Sequence, residues 1–231
     1  MRVAFPFGRT LRALIVLAPL LLVAAKCIEN DALYRDEAGD WHVVGEIHNE
    51  TDVQGVEMML GGTLFDASGN VLATAQAPIC PFELSPHTFS VFDVQFFNSA
   101  NVEEPDRYEI HAVGGRALPA ALPPLDVSLT NFTASRAGDT VTLIGTIRMR
   151  AAYSGEFSGC VAFYDGGGRV MRQVTVIGFG ALPKDKPQEL HLPLPLIPDG
   201  AAAVRFWLVG PGSEPFKSDY AAAMTPAFNI D

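Results

Sequence analysis

The sequence predicts an all-β fold, with two tandem immunoglobulin-like antiparallel β-sandwiches placed after an N-terminal signal segment. No part of the chain shows a sustained apolar period of 3.6 residues, and short apolar runs separated by Gly, Pro, Asn and Asp dominate, as in all-β proteins. Motifs also recur about 99 residues apart, since Ala38-Gly39-Asp40 returns as Ala137-Gly138-Asp139 and Leu64-Phe65-Asp66 returns as Phe163-Tyr164-Asp165. A repeat of this length predicts two copies of one domain of roughly 100 residues, a usual size for a single hydrophobic core.

Each repeat is expected to hold about seven strands that pack as two sheets. The first strand, 28–36 or 126–135, leads into a Gly-Asp turn of the kind that tight hairpins use. The next strand alternates, so that Trp41, Val43 and Ile47 face the core while His42, Val44, Glu46 and His48 are predicted to face solvent. Further strands are expected at 56–65, 71–77, 89–97 and 108–113, and in the second repeat at 141–149, 158–164, 170–178, 189–196 and 203–209.

The recurring glycines and aspartates are interpreted as turn residues. An aspartate that opens a turn accepts hydrogen bonds from the backbone two residues on, and glycine takes the left-handed position. This explains Asp66 and Asp165 without a catalytic role. The predicted structural turn residues are Gly39, Asp40, Asp66, Gly69, Gly138, Asp139, Asp165 and Gly168.

The predicted organisation has five parts. The basic start and the 13-residue apolar run Ala13–Ala25 are typical of a secretory signal, and the run is shorter than the roughly 20 residues that span a bilayer; the alternative is an uncleaved membrane anchor. The parts are a signal peptide at 1–25, a first β-sandwich at 26–114, a Pro-rich linker at 115–125, a second β-sandwich at 126–210 and an irregular C-terminal tail at 211–231.

The charge of the chain limits its partners. The formal charge is −10, and removal of the signal takes away Arg2, Arg9 and Arg12 but no acidic residue, which leaves −13. Such a surface repels phosphate backbones, so we expect no nucleic acid partner. The expected partner is a protein or another component of the cell envelope, with membrane contact only through the signal segment or a lipid anchor.

Three cysteines are present, namely Cys27, Cys80 and Cys160. Cys27 follows the signal core as a lipidated cysteine does, although Lys26 stands where a lipoprotein signal has a small residue. Export permits a disulfide, and the odd number leaves at least one cysteine free, lipidated or paired with another chain. We interpret Cys80 and Cys160 as buried small apolar residues, and the disulfide pattern stays open.

The sequence contains few candidates for catalytic or metal-binding residues. His42, Glu46 and His48 share one strand face and are candidate metal ligands, with His111 as a further donor, but the second repeat has Thr142, Thr146 and Arg148 there. No Gly-x-Ser-x-Gly elbow, phosphate-binding loop or Cys-x-x-Cys pair occurs. We therefore expect no enzyme activity, no metal and no cofactor. Consecutive apolar residues at Met58-Met59-Leu60, Phe96-Phe97 and Phe206-Trp207 are expected to be buried by the neighbouring domain or the tail, or else to form a partner-binding patch.

Both repeats resemble the Phe-x-Leu-Tyr-Asp (FxLYD) module, a β-sandwich domain of exported bacterial and archaeal proteins. The similar segments are Gly45-Glu46-Ile47-His48-Asn49 with Leu64–Gly69, and Gly145-Thr146-Ile147 with Phe163-Tyr164-Asp165. The sequence departs from the family pattern at Phe65, where tyrosine is expected, and at Met149, where asparagine is usual. The resemblance spans 40–114 and 139–210 and implies an exported, non-catalytic accessory module.

These observations together predict an exported, non-enzymatic binding or structural module of the cell envelope. It would act through sheet faces, loops or a strand edge, at an extracellular, cell-surface or periplasmic location. One alternative is an envelope-anchored lipoprotein that assists a surface assembly. Another is a metal-dependent hydrolase that uses the histidine-bearing face.

Overall fold

The structure is a computed structural model that describes residues 28–118, 122–153, 155–195, 197–211 and 220–231. These residues form fifteen strands and no helix, which confirms the all-β fold class. The predicted signal peptide and Cys27 lie outside the described residues. The strands are β1 (Ile28–Arg35), β2 (Trp41–His48), β3 (Gly55–Phe65), β4 (Val71–Cys80), β5 (Glu83–Leu84), β6 (Phe89–Phe96), β7 (Arg107–Ala117), β8 (Val127–Ala137), β9 (Thr140–Met149), β10 (Phe157–Tyr164), β11 (Val170–Gly180), β12 (Gln188–Pro195), β13 (Ala203–Pro211), β14 (Tyr220–Met224) and β15 (Phe228–Asn229).

The first sandwich packs β1-β2-β6 against β4-β3-β7, with β5 at the end of β3. Strand β4 joins the two sheets, because it pairs with β3 as far as Pro78 and then with β6 through Ile79 and Cys80. Inward side chains such as Val43, Leu60 and Phe92 are fully buried between the layers. The period-two pattern of β2 and β6 therefore places a core of aliphatic and aromatic side chains between the sheets.

The second sandwich repeats this arrangement with β8-β9-β12 facing β11-β10-β13. Its own core gathers Val141, Leu143, Val161, Phe163 and Phe206, among others. Two elements have no counterpart in the first sandwich, since β14 and β15 both pair with β13. The residue limits of the five predicted parts stay predictions.

Two segments differ from the expected irregular structure. Strand β7 continues to Ala117, so the first residues of the predicted linker pair with Gly55 and Val56 of β3. The prediction of an irregular tail at 211–231 is wrong for its last part, where β14 and β15 pair with β13. The physical reason is that β13 would otherwise leave a row of unpaired backbone groups along its edge.

The two sandwiches pack against each other through their outer sheet faces. The prediction that the outer face of β2 is solvated is wrong, since His42, Val44 and Glu46 are only 7%, 0% and 4% exposed. Strand β10 supplies Ala162 and Tyr164 to this interface, and β13 supplies Trp207 and Val209. Aromatic and aliphatic side chains of the second sandwich therefore cover the outer face of β2, which carries polar residues.

A disulfide between Cys80 and Cys160 lies within this interface. The interpretation of both residues as buried is correct, since they are 5% and 1% exposed, but they are bonded rather than separate. The Cα–Cα distance of 6.0 Å is within the usual range for a bridge. The bond joins β4 of the first sandwich to β10 of the second and limits their relative movement.

The consecutive apolar residues have different environments. Met58, Leu60 and Phe96 belong to the core of the first sandwich, and Phe206 belongs to the core of the second. Trp207 is covered by the neighbouring sandwich, whereas Phe97 is 73% exposed.

Candidate functional site: a cleft between the two sandwiches

A cleft of about 480 Å³ opens at one end of the interface. Its first wall is the 81–90 segment, which crosses from β4 to β6 and contains β5. Leu122 and Pro124 of the linker form part of the second wall, together with Trp207 and residues 222–224 of β14. Small-molecule and peptide sites in proteins commonly have this size and a mostly apolar lining.

The aromatic part of the cleft is centred on Phe89. This ring meets the Trp207 ring edge-on at 5.9 Å and stacks on the His48 ring at 5.1 Å. On its other side the Arg205 guanidinium lies 4.6 Å from the ring centroid. Three side chains thus fix the position of a half-buried aromatic ring at the cleft wall, which favours a preformed surface over a flexible one.

Among the described residues that line this cleft, Glu83 is the only charged one, and it is 5% exposed. Its Oε1 accepts a hydrogen bond of 2.7 Å from the Ala222 amide, and its Oε2 accepts one of 2.8 Å from Gln54 Nε2. The Gln54 Oε1 in turn accepts from the Leu122 amide. Glu83 therefore connects the first sandwich, the linker and β14 at the base of the cleft.

Burial raises the pKa of Glu83 from 4.5 to about 7, because a charged carboxylate loses its hydration there. The hydrogen bonds from the Ala222 amide and from Gln54 oppose this shift, since they favour the carboxylate. The group consequently changes its charge close to neutral pH. Both of its oxygens face N–H donors, so the carboxylate is the form that these partners fit.

A second cavity of about 280 Å³ adjoins the cleft and shares Thr88 and Phe89 with it. His48, Glu50 and His87 line this cavity, and His87 Nε2 lies 2.8 Å from an Asp52 carboxylate oxygen. Among the described residues, neither cavity lining includes a lysine or an arginine, although Arg205 packs on the ring of Phe89. The combined concave surface is therefore apolar in its larger part and acidic with histidines in its smaller part.

The structure does not bring the candidate metal ligands together as one site. His42 Nδ1 lies 2.7 Å from an Asp93 oxygen and its Nε2 lies 3.4 Å from Asp36, while Tyr34 stacks on the ring. Burial tends to lower the pKa of His42, but the two carboxylates outweigh it and raise that pKa overall. His42 is thus held between two carboxylates, Asp36 and Asp93.

Buried Glu46 and partly exposed His48 form a separate group. Glu46 Oε2 lies 3.1 Å from His48 Nε2 and accepts from Asn30 at 2.6 Å, and its Oε1 accepts from the Tyr164 hydroxyl at 2.9 Å. His111 belongs to β7 in the opposite sheet. Among the described residues, no three His, Cys, Asp or Glu side chains are arranged to hold a metal ion; the absence of a metal stays a prediction.

The predicted turn residues lie at hairpin ends away from the cleft. Asp66 Oδ1 accepts from the amides of Ser68 and Asn70, at 2.9 and 2.7 Å. Asp165 makes the equivalent bonds in the second sandwich, and Gly69 and Gly168 have φ values of +83° and +84°. The side-chain hydrogen bond from Asn70 lowers the pKa of Asp66. The remaining pairs, Gly39 with Asp40 and Gly138 with Asp139, occupy the β1–β2 and β8–β9 turns.

Sequence reasoning missed the cleft and its central residue. Glu83 is the only charged residue between Pro81 and Pro86, in a short segment outside the predicted strands. A second usable signal is β10, whose inward and outward residues are both apolar, as expected for a strand buried on two faces. That pattern indicates a second packing partner for the sheet, and the cleft is where this partner interface ends.

No known protein family matches the chain, and no curated protein matches it either. The resemblance to the FxLYD module therefore stays a prediction. Solved structures show low similarity: a DUF3823 family protein from Bacteroides ovatus is 12% identical, with 77% of this chain and 91% of that chain covered and a TM-score of 0.30. A calcium-binding mutant of Bacteroides uniformis β-glucuronidase 2 and a Lactobacillus rhamnosus β-glucuronidase are each 12% identical, with TM-scores of 0.25 and 0.24.

The matched region covers 86% and 88% of this chain but only 28% and 38% of those two glucuronidases. TM-scores this low carry no argument about the function of this chain. The described residues contain no helix that is long and apolar enough to cross a membrane.

Proposed function

We propose that this protein is an exported, non-enzymatic binding module of the cell envelope that holds its ligand in the cleft between the two sandwiches. The observation that carries this proposal is a concave surface built jointly by the first sandwich, the linker and the second sandwich. Its lining is mainly apolar, and its polar groups are few and already oriented by hydrogen bonds, as in preformed ligand sites.

The cleft is well suited to binding because its walls are tied together. Cys80 precedes the cleft residue Pro81, and its bridge to Cys160 joins the two sandwiches directly. Glu83 ties the base of the cleft to β14. The cleft walls are therefore already ordered before a ligand binds. Binding then loses little conformational entropy of the protein, which favours affinity.

Absence of catalysis is part of the proposal and is supported by the state of Glu83. Both of its oxygens accept hydrogen bonds from protein N–H groups, so neither is directed at a ligand as a general base. Export is supported by the disulfide, because such bonds persist in oxidising compartments, and by the N-terminal signal pattern.

A lipid anchor is the second candidate, and one observation favours it. The pairing of Cys80 with Cys160 uses two of the three cysteines and leaves Cys27 for a lipid or for another chain. Mass spectrometry of the mature N-terminus tests this. A diacylated Cys27 supports an anchored protein, and a start at Lys26 supports simple secretion.

The cleft can be tested through Trp207, which lines it. The chain has two tryptophans, so Trp41→Phe leaves Trp207 as the only one, and a panel of peptides and neutral apolar molecules is titrated while its emission is recorded. In this background Thr88→Phe places a ring in the cleft, and Thr74→Phe, an exposed position on β4, is the matched control.

We expect a member of the panel to shift the emission in the Trp41→Phe protein and in the Thr74→Phe control, but not after Thr88→Phe. If no molecule shifts the emission, or if Thr88→Phe responds like the control, the cleft is not the binding site.

A further inference from the structure

We propose that the cleft between the sandwiches holds one acyl group of a lipid carried by this protein's own Cys27. The occupant is the lipidated N-terminus, which lies outside the described residues. The inference rests on the proposed function, because it uses the same cleft, and on the lipid anchor named there as the second candidate. Attachment forms a thioether between Cys27 Sγ and a glyceryl carbon of a phospholipid, while the phosphate headgroup leaves and the thiol loses its proton.

The described part of the chain begins close to the cleft. In the antiparallel ladder of β1 and β2, Ile28 lies opposite Ile47. One further step along this ladder brings residue 27 opposite His48. The Glu29 carboxylate already contacts the same histidine, with 3.8 Å between Glu29 Oε2 and His48 Nε2. The ladder therefore directs the N-terminus towards the ring of His48.

His48 connects this position to the wall of the cleft. Its register partner on β6 is Phe89, and the two rings stack at 5.1 Å. Phe89 lines the cleft, and the Trp207 ring meets it edge-on. Residue 27 and Phe89 are thus two strand spacings apart, which is roughly 10 Å. A long acyl group on Cys27 Sγ spans this distance.

The face of the strand is also the required one. Residues that lie directly opposite each other in an antiparallel pair direct their side chains to the same face of the sheet. Cys27 therefore shares the face of His48 and, two residues before it on β2, of Glu46. The Tyr164 hydroxyl of the second sandwich donates to Glu46 at 2.9 Å. This face is therefore the one that meets the second sandwich and carries the cleft.

The cleft offers apolar contacts to a hydrocarbon. The side chains of Pro81, Leu122 and Met224 contribute to its walls. Two hydroxyl groups of the lining already donate to backbone carbonyls at 2.8 Å, namely those of Thr88 and Ser90. Burial of CH2 groups against such walls is favourable, and the inserted hydrocarbon brings no polar atom that would lose hydrogen bonds to water.

Withdrawal of one acyl group changes how firmly the protein is anchored. Stable attachment to a membrane takes two signals, such as two acyl groups, and a single group gives only marginal, reversible binding. A protein with one acyl group in its cleft is therefore attached reversibly. An apolar ligand that fills the cleft displaces this group and strengthens the attachment, so the cleft couples ligand binding to membrane association.

The test uses the mature oxidised chain in the Trp41→Phe background, where Trp207 is the only tryptophan. The disulfide occupies the other two cysteines, so Cys27 is the one free thiol. It is alkylated with a hexadecyl group, or with a methyl group as the reference. The matched control carries the hexadecyl group on Ser68→Cys in a Cys27→Ser chain, because Ser68 is an exposed residue of the β3–β4 turn, at the end of β4 away from the cleft. Trp207 emission and light scattering are recorded at several dilutions.

We expect the hexadecyl group on Cys27 to shift Trp207 emission relative to the methyl reference at every protein concentration, because the contact is intramolecular. The control on Ser68→Cys should leave the emission unchanged. Thr88→Phe places a ring in the cleft and should abolish the shift, whereas the exposed Thr74→Phe should preserve it. With the acyl group in the cleft for about nine-tenths of the time, Thr88→Phe should also raise the affinity of the Cys27-hexadecyl protein for phosphatidylcholine vesicles about tenfold. The comparison of the two hexadecyl proteins needs no cleft variant, so a poorly folded Thr88→Phe protein does not remove the test.

Docking of the protein's own lipid is wrong if the two hexadecyl proteins have the same Trp207 emission, or if mass spectrometry of the mature N-terminus finds Cys27 without a lipid. It is also wrong if the shift disappears on dilution together with a dimer in light scattering, since the group then enters the cleft of a second copy. If the attached group fails while an external molecule shifts the Trp207 emission, the proposed function stands without the protein's own lipid. If nothing shifts the emission, the proposed function fails as well.

Discussion

Replacement of Glu83 by glutamine should remove a large part of the pH dependence of stability. Folding raises the pKa of this carboxyl from 4.5 to about 7, so the folded chain binds the proton more tightly than the unfolded chain does. Ionisation of Glu83 therefore lowers the free energy of unfolding. This loss is absent below pH 4.5 and reaches its full value above pH 7. At 1.36 kcal/mol for each pKa unit, this amounts to about 3 kcal/mol.

The variant Glu83→Gln keeps the shape of the side chain but does not titrate. Its amide group places an N–H donor opposite either Gln54 or the Ala222 amide, which costs roughly 1 kcal/mol at every pH. The difference in the free energy of unfolding, variant minus wild type, should therefore rise by about 3 kcal/mol between pH 4.5 and pH 8.

Urea unfolding of both proteins at half-unit pH steps measures this difference directly. The difference cancels titrations that the two proteins share, such as that of His42. A difference that changes by less than about 1 kcal/mol over this range would refute the assignment of a buried, titrating carboxyl at the base of the cleft.

Three further predictions follow from the same contacts. Cys80→Ala with Cys160→Ala should lower the free energy of unfolding by about 4 to 5 kcal/mol, the loop-entropy value for a separation of 80 residues; a loss below about 1 kcal/mol in guanidinium unfolding would contradict it. Asp93→Asn should lower the pKa of His42 in an NMR titration and destabilise the fold more at pH 5.5 than at pH 8.5, because a raised histidine pKa stabilises at low pH. Asn49→Ala should lower the free energy of unfolding in urea by about 2 to 4 kcal/mol, because its buried amide donates to three backbone carbonyls; a loss below about 1 kcal/mol would contradict it.

Local sequence patterns predicted the strands well because their signals lie within a few residues. The Asp66 and Asp165 turns and the alternation of β2 and β9 need only neighbouring residues. The burial of Glu46 is different, since its partner Tyr164 lies 118 residues away. Polar residues on alternate positions are the expected pattern of a solvated face, and nothing local indicates the sheet that covers them.

The tail and the cleft escaped prediction for a related reason. Alanine-rich β14 has no alternation and a weak intrinsic preference for strand, so its conformation comes from the open edge of β13 beside it. Glu83 belongs to a site only because β14 and the linker come to it from elsewhere in the chain. The candidate site is thus a product of tertiary packing between distant segments.

The position of the interdomain bridge also constrains biosynthesis. Cys160 is synthesised 80 residues after Cys80. The first sandwich can therefore fold before the Cys80 thiol has its disulfide partner. During that interval Val44 and Val91, which the finished molecule conceals, are open to water. A truncated chain that ends before β10 would therefore expose an apolar surface and a free Cys80 thiol. Aggregation of such a chain would not show that the first sandwich is misfolded.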